Sequence, residues 1–186
     1  KLMITGSERL SMGEIDMMNL TGTQAVVCQA SDMIKPKGIS NLGKLIHASH
    51  NVGLGSDSSA TNSNFDLFRE TAGIARIMKS ESTKTTTYTD AKVIEMSTYG
   101  GAKALGLEDT IGSLEKNKLA DVIAIDMSDF RTKPIRNLTE QIINRTEQRQ
   151  ITHVWVGGRL IVELSQLSNS NHSSLNRIAS LYESNS

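Results

Sequence analysis

The chain has 186 residues, enough for one ordinary domain or for a domain with an appendage. Its 20 basic and 20 acidic residues cancel, and no basic stripe appears, so the composition argues against nucleic-acid binding. No apolar run reaches the ~18 residues needed to cross a bilayer, and the single Cys28 excludes an internal disulfide and fits a reducing compartment such as the cytoplasm.

Leu2-Met3-Ile4-Thr5 predicts a buried strand. Ser11 with Glu14 three residues on predicts a capping box, opening a helix with Ile15, Met18 and Leu20 on its apolar side and Gly22 at its end. Ala25-Val26-Val27-Cys28 predicts a second strand. Gly38-Ile39-Ser40 leads into a helix through Leu42, Leu45 and Ile46, and Val52-Gly53-Leu54-Gly55 predicts a third strand ending just before Asp57. Leu67, Thr71, Ile74 and Met78 recur at helical spacing. A Ser/Thr/Lys-rich loop over 80–87 separates them from a helix expected over 91–105 and ended by Gly106. Short apolar strands alternating with helices imply a parallel sheet, buried on both faces.

After Gly106 the pattern changes. Asn117 suits a tight turn, and Leu119 to Ile125 predicts a strand. Gly157-Gly158, between His153-Val154-Trp155-Val156 and Arg159-Leu160-Ile161-Val162, predicts a hairpin. The polar stretch 165–174 predicts a linker, and Leu175, Ile178, Ala179 and Tyr182 a short closing helix. The expected divisions are 1–110 for the βα units, 111–165 for a β-rich segment, and 166–186 for the linker and last helix.

Three elements carry a resemblance: Val52-Gly53-Leu54-Gly55-Ser56-Asp57, the helix Ser97 to Leu107 with its Gly100-Gly101 pair, and Gly112 to Asp126. In this order and spacing they resemble the C-terminal part of amidohydrolase-superfamily aminohydrolases, the branch of methylthioadenosine/S-adenosylhomocysteine deaminases and triazine chlorohydrolases. The likeness covers roughly residues 1 to 165. It implies an α/β fold, the C-terminal part of a (β/α)8 TIM-like barrel plus strands of a small β composite domain. Ile4, Val26 and Leu54 are then expected to point into the barrel. The implied chemistry is metal-assisted hydrolysis of a C–N bond on a purine-like or other heterocycle.

Asp57 is the candidate catalytic residue and candidate metal ligand. It stands at the C-terminal end of a barrel strand, where such enzymes keep their chemistry. A carboxylate there ligates a divalent metal or accepts a proton from an attacking water. On Gly-x-Asp alone, an Asp capping the following loop is the simpler explanation; the flanking pattern reverses that preference. The implied metal is zinc or iron. A catalytic zinc takes three protein ligands, so the chain alone is expected neither to bind it nor to turn over substrate.

Two further positions depart from the family pattern. Gly6 stands where the resemblance implies a histidine at the end of the sixth strand, and Val27 where it implies one at the end of the seventh; Ser31 keeps the serine that follows. Both departures count against deamination by this sequence. The rival expectations are a non-enzymatic half-barrel serving binding or assembly, and one piece of a split enzyme. The expected partners are copies of this chain or a complementing N-terminal half, with no nucleic acid and no membrane. His47, His50, His153 and His172 are assigned no catalytic role, Cys28 is expected to be a buried apolar residue, and Gly100-Gly101 to serve close helix packing rather than phosphate binding.

Overall fold

A computed structural model describes residues 2–6, 10–34, 42–48, 52–58, 65–81 and 88–167. Three short strands, β1 (Met3–Thr5), β2 (Gln24–Val27) and β3 (Val52–Leu54), pair in parallel in that order. The register aligns Ile4 with Ala25 and Val52, and Val27 with Leu54. The first crossover contains α1 (Met12–Thr21), which opens on the expected capping box: Ser11 N–H donates to Glu14 Oε2 at 2.7 Å, and Ser11 Oγ accepts from Glu14 N–H at 3.4 Å. The second contains α2 (Gln29–Ile34) and α3 (Leu42–Ala48), and the strand set is followed by α4 (Leu67–Glu81), α5 (Asp90–Ser97) and α6 (Tyr99–Leu105).

The core forms where one face of this sheet meets the helices. Ala25, Val27, Val52 and Leu54 pack with Ile15, Leu45, Ile74, Met78, Val93 and Met96 in one cluster. Ile74 and Met78, a turn apart on α4, are both fully buried, each burial contributing about 1.5–3 kcal/mol. Alternation along a strand sends Val26 and Cys28 to the opposite face. Gly55 lies there too, since a Cβ on it would meet Val26 Cγ1 at 2.8 Å and Cys28 Sγ at 3.1 Å. Of the three residues expected to point into a barrel, only Val26 lies on the face away from this core. Leu54 belongs to the helix-covered core and Ile4 packs against it. The parallel register decides this, because Ile4, Ala25 and Val52 share a side.

The helix expected over 91–105 is two helices. The chain turns at Thr98 (φ −124°, ψ −88°), and α6 sets off in a new direction. The turn brings α6 onto the sheet: a Cβ on Gly100 would meet Val52 O at 2.5 Å, and one on Gly53 would meet Gly100 O at 3.0 Å. Of the glycine pair, Gly100 therefore serves close packing, while a Cβ on Gly101 would meet nothing within 4 Å.

The second sheet is antiparallel, in the order β4 (Val122–Ile125), β5 (Ile151–Val156), β6 (Arg159–Glu163), β7 (Gln166–Leu167). Gly157 and Gly158 join β5 to β6 in a two-residue turn with φ of 57° and 80°, the left-handed pair that matches the strands' twist. The expected turn at Asn117 is present, with φ 75°. Lys118 pins the link between the layers: its Nζ donates to Glu108 O at 2.6 Å and to Ser113 Oγ at 2.7 Å, and lies 5.3 Å from the centre of the Tyr99 ring.

Three further features depart from expectation. Leu20 is 83% exposed rather than on the apolar side of α1. A helix, α7 (Leu138–Arg145), lies within the segment expected to be β-rich, and its Ile143 joins the core cluster of the parallel layer. The sheet runs on to Leu167, inside the stretch expected as linker. The closing helix expected near residues 175–182 lies outside the described residues. No helix among the described residues is long and apolar enough to cross a membrane.

Candidate functional site

Asp57 follows β3 by three residues, at the C-terminal end of the parallel strands. Its side chain is exposed and its backbone is left-handed, φ 57°. Asp is among the few non-glycine residues that tolerate this conformation. The carboxylate does not stand alone. Ser31, in the first turn of α2 and almost fully buried, donates its hydroxyl to Asp57 Oδ2. Ser31 follows β2 by the same kind of step that Asp57 follows β3, so adjacent parallel strands deliver both groups to one edge of the sheet.

Around this pair lie three more groups. Cys28 is buried, and its thiol is pushed up to about 11, first by burial and then by the negative charge of Asp32. It is a protonated, unreactive thiol, as expected of a buried apolar cysteine. Asp32 is buried and accepts the Cys28 N–H at 3.4 Å through Oδ2. Glu70, on α4, is buried at 1% exposure and accepts the Ala30 N–H at 3.1 Å through Oε2.

Sequence reasoning named Asp57 and Ser31, which the structure brings together, and passed over Glu70 beside them. The signal was present: Glu70, Ile74 and Met78 form an i, i+4, i+8 row, so a carboxylate sits in the buried stripe of α4. A charge in such a row is costly unless it is hydrogen-bonded.

The two positions that depart from the resemblance differ from each other. Gly6 ends β1 with φ 70°, a conformation in which a side chain would be strained. Val27 is 3% exposed inside the apolar core, on the side of the sheet opposite Cys28. A histidine placed there would be buried against the helices and would not reach Asp57. His153 lies on β5, its ring stacked on Trp155 with centroids 5.5 Å apart, in the second sheet. His47 lies on α3, and His50 and His172 lie outside the described residues.

Among the described residues, no group of three or more His, Cys, Asp or Glu side chains is placed to hold a metal ion. A catalytic zinc needs three protein ligands and an open position. The described residues therefore do not themselves make a zinc centre.

The amidohydrolase family model matches residues 3–161. The 5-methylthioadenosine/S-adenosylhomocysteine deaminase of Teredinibacter turnerae is 34% identical over 158 residues, covering 85% of this chain and 36% of that protein. The enzyme of the same name from Saccharophagus degradans is 32% identical, covering 83% and 34% respectively. Among solved structures, a zinc-bound adenosine deaminase from Xanthomonas campestris superposes with a TM-score of 0.91 at 29% identity, over 99% of this chain and 42% of that one. An atrazine chlorohydrolase from Arthrobacter aurescens, solved with zinc, shares the fold with a TM-score of 0.82 at 19% identity, over 96% of this chain and 40% of that one. The chain spans about a third of the length of the curated relatives it matches. Those relatives are enzymes of the TIM-barrel type, and the three parallel strands with their helices correspond to part of such a barrel. On a family match across most of its length and 34% identity over 158 residues to a curated relative, this chain belongs to the amidohydrolase family.

Proposed function

We propose that this chain forms the Asp57-bearing part of a hydrolytic deaminase that removes an amino group from a purine-like heterocycle. The observation that carries the reading is the Asp57–Ser31 pair at the C-terminal edge of the parallel sheet. An exposed carboxylate, oriented by a buried hydroxyl, is equipped to take a proton from a water as that water attacks the amino-bearing carbon, and to return one to the departing amine. General-base action of this kind contributes about 10²–10⁴-fold in rate. The neighbouring Cys28 thiol, held protonated, does not compete as a nucleophile. The family's metal enters this proposal only as a group whose remaining ligands the described residues do not supply.

A chimera tests it. Residues 3–161 replace the matched segment of the Teredinibacter turnerae deaminase, and ammonia release from adenosine-type substrates is followed. The chimera is expected to turn over, and Asp57→Asn within it to lose at least about 100-fold in kcat. A folded chimera with no turnover, or one indifferent to Asp57→Asn, refutes the proposal.

One observation favours a second reading, a non-enzymatic half-barrel used for assembly. Gly6 presents no side chain at the end of β1, and its left-handed backbone disfavours one. The same chimera separates the two, since on this reading it folds and stays inactive. In either case the partner is proposed to be another copy of the chain or a complementing N-terminal half, because β1 and β3 are the edge strands of the three-stranded sheet.

A further inference from the structure

The Glu70 carboxylate has no evident packing purpose. It is buried in the row that otherwise presents Ile74 and Met78 to the core. Burying a carboxylate is costly unless specific hydrogen bonds repay it. One such bond is with the N–H of Ala30, an amide of the first turn of α2 that has no partner within its own helix. A second contact comes from the same side of α4. Gly73, three residues on, sits so close to Gln29 that a Cβ on it would overlap the Gln29 side-chain amide. Helix α4 thus grips two consecutive residues, Gln29 and Ala30. The next residue is Ser31, whose hydroxyl is bonded to Asp57. Asp57 itself has an exposed side chain on a left-handed backbone, so packing contributes little to fixing its carboxylate.

We infer that Glu70 is a positioning residue: it fixes the start of α2, which fixes Ser31, which orients the Asp57 carboxylate. The inference rests on the proposal that Asp57 is the acting group. The chain of contacts runs through one backbone amide and one hydroxyl, and joins a helix that follows β3 to the helix that follows β2. It accounts for a buried carboxyl group at residue 70, for the absence of a side chain at residue 73, and for a buried serine facing an exposed aspartate.

The test is nuclear magnetic resonance on the 186-residue chain. Three-bond couplings to the Asp57 carboxyl carbon report its χ1 distribution, and amide hydrogen exchange reports Ala30. Wild type is expected to show one Asp57 rotamer. Glu70→Gln retains it, because the amide oxygen of Gln still accepts from Ala30. Glu70→Ala is expected to average the rotamer and to speed Ala30 exchange at least about tenfold, while amides in the middle of α4 stay protected. Glu70→Met, which keeps an unbranched side chain of similar length but offers Ala30 no acceptor, averages it too, and stands in should Glu70→Ala not fold. A single Asp57 rotamer in Glu70→Met, or in a folded Glu70→Ala, overturns the inference and leaves Glu70 a residue of stability alone. The outcome is separable from the proposed activity. Rotamer averaging in these variants, together with undiminished ammonia release by the Asp57→Asn chimera, keeps the contact chain from Glu70 to Asp57 and removes Asp57 from the reaction.

Discussion

Gly100 and Gly101 are adjacent on α6 but face different surroundings, and alanine at each is expected to act with opposite sign. A Cβ on Gly100 would lie 2.5 Å from Val52 O and 3.3 Å from Glu95 O. Both are backbone atoms, and neither yields by a rotamer change. Ordinary contact begins near 3.4 Å, so α6 must recede from β3 by about 1 Å. Overpacking of this kind costs about 1–3 kcal/mol, against a helix-propensity gain of up to about 1 kcal/mol. The net expectation for Gly100→Ala is a loss of about 1–2 kcal/mol. At Gly101 nothing lies within 4 Å of the added carbon, so only the propensity gain remains, up to about 1 kcal/mol. Urea denaturation followed by circular dichroism measures both. With a slope of about 2 kcal/mol per molar, the two midpoints should separate by about 1 M, straddling wild type. Shifts of the same sign, or a Gly100→Ala variant more stable than wild type, refute the claim that α6 rests backbone-to-backbone on β3.

Ile143→Ala is expected to cost about 2–5 kcal/mol in the same assay, because Ile143 is 1% exposed in the core of the parallel layer; a loss below about 1 kcal/mol contradicts its placement. Cys28, with its thiol at about 11, should resist iodoacetamide at pH 8 and react roughly tenfold faster per pH unit up to that value, since raising a thiol's pKa removes thiolate at every lower pH; alkylation at pH 8 as fast as a free thiol contradicts the burial that causes the shift. Light scattering at low micromolar concentration should show an oligomer rather than a 20.3 kDa monomer, because β1 and β3 leave unpaired edges; a cooperatively folded monomer disproves it.

What the sequence made legible follows from the range of each signal. Capping at Ser11 and Glu14, the turn at Asn117 and the Gly157-Gly158 hairpin are local, and each is present as expected. Asp57 was legible because it ends a strand in a recognisable run. Helix α2 was not, since six residues hold less than two turns of periodicity. Helix α7 was missed for a related reason: Leu138, Ile142 and Ile143 give it an apolar side, but its eight residues hold little more than two turns of periodicity. The break at Thr98 depends on the fit of Gly100 against β3, a contact between residues far apart in the chain. The face assigned to Ile4 and Leu54 depends on strand register, which a three-residue apolar run does not specify. The link from Glu70 to Ala30 spans 40 residues and has no local trace beyond a charge in an apolar row.

The position of Ile143 also sets a schedule for synthesis. The core of the parallel layer draws members from Ile15 through Met96, then waits for one more from α7, nearly fifty residues later. At about 5–20 residues per second, a ribosome takes some seconds to cover that interval. During it, Ile74, Met78, Val93 and Met96 have been made while the helix that closes over them has not. The nascent chain therefore passes through a window in which its apolar centre is incomplete. Chaperone contact and aggregation compete with folding there, and a pause in translation ahead of residue 138 prolongs the exposure.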